Sequence, residues 1–174
     1  VRGTLFFDIA RIVKKKKPKV VLLENVRNLG RHDEGRTLNI IENVLNELGY
    51  NIFHKVLNSS HYGAPQNRQR IFIIGLRKAH KSKVFKFPDP TYEEVSLNDI
   101  LEPNVPKHFF VEREDIEFKY NSIFSESDLS DKKKYLRPIR VGTISKGGQG
   151  ERIYSPKGHS ITLSAYGGGI AGKT

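Results

Sequence analysis

Between residues 4 and 76 the sequence changes its hydrophobic period again and again, and that succession limits the fold more than any other feature. The stretch "TLFFDIARIVKKKK" (4–17) sets Leu5, Ile9, Ile12 and Val13 at helical spacing, so a helix is expected with those four inward. Its lysines fall in the last turn, where positive charge suits the helix dipole, and Pro18 ends it. "KVVLLE" (19–24) is a short apolar run with two valines, the pattern of a buried parallel strand. "TLNIIENVLNEL" (37–48) predicts a second helix with Leu38, Ile41, Val44, Leu45 and Leu48 inward, Thr37 as its cap and Gly49 past its end. "YNIFHKVL" (50–57) and "RIFIIGL" (70–76) read as strands. The loop between them, "SSHYGAPQNRQ", has turn chemistry at Gly63 and Pro65. The order helix, strand, helix, strand, loop, strand predicts an α/β layer structure.

That order is the one found in the second half of a doubly wound sheet. After residue 80 the texture changes. "KFPDPTYEE" reads as a connector, 96–102 as one helical turn, and 112–137 as a charged surface insertion with little apolar periodicity. Further on, "HSITLSAY" alternates Ile161, Leu163 and Ala165 with Thr162 and Ser164, a strand pattern. Two domains are expected, 1–100 and 101–174, the second mostly β and incomplete.

Charge narrows the function. The chain of 174 residues has 30 Lys and Arg against 19 Asp and Glu, a net charge of +11, which favours a polyanion and most often nucleic acid. A merely basic protein, or one facing acidic lipid, is the alternative. No basic amphipathic helix of the membrane type stands out, and no apolar run approaches the length of a membrane span, so no membrane partner is expected. Cysteine is absent, which excludes a disulfide framework, a thiolate zinc site and a cysteine nucleophile within these residues. Val1 and the absence of methionine lead to the expectation of a processed or truncated segment.

Two local patterns carry chemistry. Glu24 in "LLENV" is a carboxylate at the end of a predicted strand, where α/β proteins place ligands; a solvated turn residue is the alternative. In "YGAPQNRQRIF", Arg68 and Arg70 stand two residues apart on an expected extended backbone and so project to one side. That suits phosphate or base contacts, or simply two surface arginines. A third pattern invites a different reading. Gly167, Gly172, Lys173 and Thr174 satisfy the phosphate-loop spacing G-x-x-x-x-G-K-[ST]. Such a loop needs a following helix and an acidic magnesium partner. Neither is evident, so the match is read as chance and the glycines as sites of close approach.

Taken together, "RGTLFFDIARI", "PKVVLLENV" and "YGAPQNRQRIFIIG", in this order and spacing, resemble the DNA (cytosine-5) methyltransferases. "GGQGERIYSPKGHSITLSAYGGGIAGKT" resembles the target recognition domain of members that read GCGC. The resemblance covers about residues 1–100 and 138–174. It implies a partial Rossmann-like methyltransferase sheet followed by an incomplete, mostly β target recognition domain. It also implies S-adenosylmethionine as methyl donor, no metal, double-stranded DNA as partner, and a cytoplasmic bacterial or phage-encoded enzyme.

In that family the cytosine is flipped out of the duplex, a cysteine thiolate adds to ring carbon 6, and carbon 5 takes the methyl group. By resemblance Glu24 is the glutamate that holds ring nitrogen 3 and the exocyclic amine. Arg70 is the arginine that contacts the flipped base, Arg68 its companion near the backbone, and Gln66 a support of the loop. Leu5 matches an apolar residue near the cofactor. Gln149 and Arg152 match groove-entering residues, Thr162, Ser164 and Tyr166 match loop positions on backbone and bases, and Gly168 and Gly169 match glycines against the base edges. The glycine-rich cofactor loop, the Pro-Cys loop and the C-terminal block of the family are not in this sequence. A fragment of a longer enzyme is the expectation. A split enzyme, with a complementary polypeptide carrying the cysteine, is the alternative; a non-catalytic DNA-binding relic is the rival function, and a phosphate-loop nucleotide-binding protein is the remote one.

Overall fold

A computed structural model describes residues 5–79, 84–110, 112–118, 137–146, 148 and 151–162. The chain divides into two compact units, one of residues 1–58 and 69–89, the other of 59–68 and 90–174.

The first unit is a three-stranded sheet covered on one face by two helices. Helix α1 spans Leu5–Lys16 and helix α2 spans Arg36–Glu47; the strands are β1 (Val20–Val26), β2 (Tyr50–Asn58) and β3 (Gln69–Arg77). The spatial order is β1-β3-β2, and β3 runs antiparallel to both neighbours. The expectation that 19–24 is a buried parallel strand is therefore corrected twice. β1 lies antiparallel to β3 at the edge of this sheet, and only Val21 of its seven residues is fully buried. An apolar run says nothing about the direction of its neighbour, and β1 is covered by helices on one face only.

Strand alternation sorts the side chains. One face carries Val21, Leu23, Ile71, Ile73 and Ile52, and it meets Val13 of α1 and Leu38, Ile41 and Leu45 of α2 in the core. Leu45 is wholly buried, and shortening it to alanine should cost about 2–5 kcal/mol. Gly75 lies on this face because a Cβ there would come within 3.3 Å of the Ile52 side chain and 3.4 Å of the Tyr50 ring. Tyr50 itself is buried and donates its hydroxyl to the Pro18 carbonyl at 2.7 Å, tying the start of β2 to the turn before β1.

Helix α1 corrects a second expectation. Ala10 and Val13 are buried with Phe6 against the core, whereas Leu5, Ile9 and Ile12 face outward. Both stripes have helical spacing, so periodicity alone could not choose between them. In α2 the expected apolar face is the one that packs. Thr37 is not its cap: the helix starts at Arg36 after Gly35, and the Thr37 hydroxyl instead bonds His32 Nδ1 at 2.7 Å. Gly49 follows the helix at φ 90°, the left-handed turn a residue with a Cβ adopts at a cost.

The second unit contains an antiparallel sheet of β4 (Ile116–Phe118), β5 (Arg140–Ile144) and β6 (Arg152–Tyr154). β4 falls inside the stretch read as an insertion; three residues give too short a period to notice. The helical turn expected near 96–102 is a 3₁₀ turn at Leu97–Asp99, capped by Ser96 and Asp99. Of the expected strand "HSITLSAY", residues 159–162 are described, and they contribute a single bridge at Ser160.

Candidate catalytic and recognition sites

The strand register builds the centre of the first site. Glu24 stands opposite Phe72, and Arg70 stands opposite Val26. Glu24 and Arg70 are thus diagonal neighbours on the sheet face away from the helices, and Arg70 Nε lies 3.0 Å from Glu24 Oε1. The Arg70 side chain is mostly covered, while nearly half of Glu24 remains open to solvent. Arg70 also donates through Nη1 to its neighbour's carbonyl, Gln69 O, at 2.8 Å.

Gln69 alternates to the opposite face, where its side-chain carbonyl accepts from Arg27 Nη1 at 2.6 Å. The ends of β1 and β3 are therefore linked by side chains on both faces. This second link was missed in the sequence, because Arg27 and Gln69 are 42 residues apart and neither stands out alone.

A carboxylate beside a guanidinium presents an acceptor and several donors in one plane. That array can accept from an exocyclic amine and donate to a ring carbonyl. Among the described residues, no group of three or more His, Asp or Glu is placed to hold a metal ion.

Leu5 lies at the start of α1 with 71% of its surface exposed. A single exposed apolar side chain fits one wall of a cofactor site and no more.

The second unit gathers other expected residues. Of the two arginines, Arg70 lies within β3 and Arg68 in the segment that immediately precedes it. Arg68 belongs with loop 59–68, and its carbonyl accepts from Ser59 N at 3.1 Å. The main-chain carbonyl of Gln66 accepts from the Ser59 hydroxyl at 2.5 Å, a bond that closes this loop through the backbone at Gln66 and not through its amide side chain.

The same loop is clipped to the recognition segment. Asn67 N donates to Ser160 O at 2.9 Å, Ser160 N donates to Pro65 O at 2.8 Å, and the Thr162 hydroxyl donates to Asn67 O at 3.0 Å. Thr162, expected to touch DNA, thus spends its hydrogen on the loop, while its oxygen still has lone pairs. Arg152 is exposed on β6, opposite Thr143. Gln149, Ser164, Tyr166, Gly168 and Gly169 lie outside the described residues, as do Gly167, Gly172, Lys173 and Thr174 of the phosphate-loop pattern.

A further polar cluster in this unit escaped the sequence reading. Arg113 donates to both carboxylate oxygens of Asp115, at 2.7 and 2.8 Å, and the Ser145 hydroxyl adds a third bond at 2.7 Å. These bonds, Arg113 first and Ser145 second, hold the Asp115 carboxyl well below the usual carboxylate range.

Residues 1–166 match the family described as C-5 cytosine-specific DNA methylase. The chain is 47% identical to Type II methyltransferase M.HhaI of Haemophilus parahaemolyticus over 174 residues, which are 99% of the chain and 51% of that protein. It is 49% identical to Type II methyltransferase M.HaeII of Haemophilus aegyptius over 116 residues, 65% of the chain and 35% of that protein. The chain thus spans about half the length of M.HhaI and less of M.HaeII. Among solved structures, a Spodoptera frugiperda DNMT2 mutant superimposes with a TM-score of 0.52 at 21% identity, covering 62% of this chain and 34% of that one, a likeness of fold. With the ordered sequence motifs and the α/β sheet that sets Glu24 against Arg70, the match across residues 1–166 makes this chain a member of the C-5 cytosine-specific DNA methylase family.

Proposed function

We propose that this chain forms part of an enzyme that transfers a methyl group from S-adenosylmethionine to carbon 5 of a flipped-out cytosine in double-stranded DNA. The observation that carries the reading is the Glu24–Arg70 pair, with 3.0 Å between charged atoms at the ends of β1 and β3. Glu24 would hold ring nitrogen 3 and the exocyclic amine, and Arg70 the ring carbonyl, so charge developing in the ring is stabilised where it appears. Arg68 would hold the backbone beside the flipped nucleotide. S-adenosylmethionine supplies the methyl group; Leu5 would give one apolar wall for it, and the rest of that site lies beyond the described residues.

The nucleophile in this chemistry is a cysteine thiolate, and the 174 residues contain no cysteine. These residues alone are therefore expected to be inactive, and catalysis belongs to the polypeptide that carries them or to a complementary one. The domains are read as a catalytic part at 1–100 and part of a target recognition domain at 101–174. In the second, Arg152, Gln149, Thr162, Ser164, Tyr166, Gly168 and Gly169 would face the DNA.

The target is proposed to be a short site, GCGC or similar. Support comes from the likeness to M.HhaI, which runs through the recognition half because it covers 99% of the chain. The enzyme would act in the cytoplasm of a bacterium, or be encoded by one of its phages.

The test is methyl transfer by the protein that carries this chain. With tritiated S-adenosylmethionine, label should appear on carbon 5 of cytosine in a GCGC duplex and not in a duplex with that site scrambled. Label on adenine, or none on DNA at all, would overturn the reading.

A further inference from the structure

The first unit has a basic end that the proposed chemistry does not use. The lysines at 14–16 fill the last turn of α1, and Lys17 closes that helix in a left-handed conformation at φ 49°, donating N to Val13 O at 2.8 Å. Lys19 opens the path into β1, and its carbonyl accepts from Arg77 N, at the end of β3, at 3.0 Å. Arg77 Nη1 donates to Lys17 O at 3.2 Å. Lys78 N donates to Gly49 O at 2.8 Å, and its ammonium reaches Asn46 O at 3.4 Å. The two strands and two helices therefore converge on one exposed group of cations: the four lysines at 14–17, Lys19 and Lys78.

None of these six ammonium groups is in an ion pair among the described residues. The ion pairs of this unit lie elsewhere, at Arg11–Asp8, Arg36–Asp33, His54–Glu42, Arg70–Glu24 and Lys86–Asp89. Six uncompensated cations within one rigid end repel one another, and a dense row of phosphates relieves that repulsion.

The position excludes the target base as their partner. Lys19 immediately precedes β1 and Glu24 lies toward the far end of that strand, five residues or about 17 Å of extended chain away.

We infer that this basic end holds the phosphate backbone of a DNA segment outside the target site. The inference rests on the proposed action on DNA. A lipid surface fits the arrangement less well. An interfacial helix flanks its apolar stripe with cations along its length, whereas these cations are confined to the last turn of α1 and continue onto two strand ends. Duplex DNA presents one negative charge per about 1.7 Å of axis, which a compact group of this kind can engage several at a time.

The experiment compares Lys14→Gln/Lys15→Gln/Lys16→Gln/Lys17→Gln with the unaltered protein that carries this chain. Binding is measured to a target duplex of about 12 base pairs, roughly 40 Å long, and to one five times longer. The substituted side chains are exposed, and circular dichroism checks the fold. The expected result is an unchanged affinity for the short duplex and at least a fivefold loss for the long one. The slope of log affinity against log salt for the long duplex should become shallower by about 0.9 for each phosphate that the variant no longer neutralises. Glu47→Lys, which adds a cation beside Asn46 and Lys78, should strengthen long-duplex binding instead.

Equal affinities of variant and parent for the long duplex would overturn the inference. So would an equal loss on both duplexes. Loss of binding to phosphatidylserine vesicles with DNA binding intact would assign the surface to lipid. Failure of the unaltered protein to bind even the short target duplex would instead overturn the proposed function, and this inference with it.

Discussion

Arg70 and Glu24 touch across a diagonal: the register pairs Arg70 with Val26 and Glu24 with Phe72, yet Nε and Oε1 are 3.0 Å apart. Each side chain therefore fixes the other's rotamer at the point where the base is proposed to sit. Glu24→Gln in the protein that carries this chain should lower single-turnover methyl transfer at least tenfold with DNA binding largely kept. Arg70→Gln should do the same. The double variant should lose much less than the product of the two losses, because either change alone already breaks the pair. Full multiplicativity in single-turnover rates would show that the two act separately.

A second expectation concerns loop 59–68. The Thr162 hydroxyl donates to Asn67 O at 3.0 Å, next to the reciprocal bonds of Asn67 N and Ser160 N. Thr162→Val removes that donor while keeping the shape. A hydrogen bond of this kind is worth about 1 kcal/mol, so exchange of the Asn67 and Ser160 amides should quicken about fivefold. Thr162→Ser should restore protection. Hydrogen exchange read by mass spectrometry or NMR decides it, and unchanged protection in the valine variant would deny the clip.

These two cases show what the sequence exposes and what it hides. The α/β layering, both helices, all three strands of the first unit and Glu24 and Arg70 as candidates are visible, because each is a local periodic pattern or a short motif. Strand direction is not visible, since "KVVLLE" looks the same beside a parallel or an antiparallel neighbour. Nor is the buried side of α1: Leu5, Ile9 and Ile12 compete with Phe6, Ala10 and Val13 at identical spacing, and the sheet decides between them. Links such as Arg27 to Gln69, or Thr162 to Asn67, join residues 42 and 95 positions apart. They use ordinary polar side chains that carry no mark until the chain is folded.

Tyr50 offers a test of the first unit's stability. Burial pushes its phenol above the usual 10.0, with a smaller opposing pull from Arg77, and its hydroxyl donates to Pro18 O at 2.7 Å. The folded state thus binds the phenolic proton more tightly than the unfolded state. Stability from this group is complete below pH 10.0 and falls as pH rises above that value toward the higher folded pKa. Tyr50→Phe should cost about 1–2 kcal/mol at neutral pH by leaving the Pro18 carbonyl unpaired. It should also remove this part of the alkaline decline. Denaturant melts at pH 7 and at about pH 10.5 measure both effects, and parallel losses in the two proteins would contradict the assignment.

Asp115 gives the opposite pH sign in the second unit. Two bonds from Arg113 and one from Ser145 favour its ionised form, so its folded pKa lies far below the ordinary 3.8. The same interaction raises the Arg113 pKa. A depressed carboxylate pKa contributes stability that is present above 3.8 and is lost as pH falls through that value toward the folded pKa. The group is exposed, so its worth is modest and screened by salt. The cluster nevertheless joins the approach to β4 with the end of β5, where Ser145 N also donates to Asp115 O at 3.2 Å. Asp115→Asn should therefore quicken exchange of the Ser145 amide and of the paired amides between Ile116 and Ile144 at pH 6. The difference from the parent protein, corrected for intrinsic exchange, should shrink at pH 3, where the unfolded-state carboxyl of the parent is mostly protonated. A difference that stayed constant between those pH values would mean that the cluster acts through shape and not through charge.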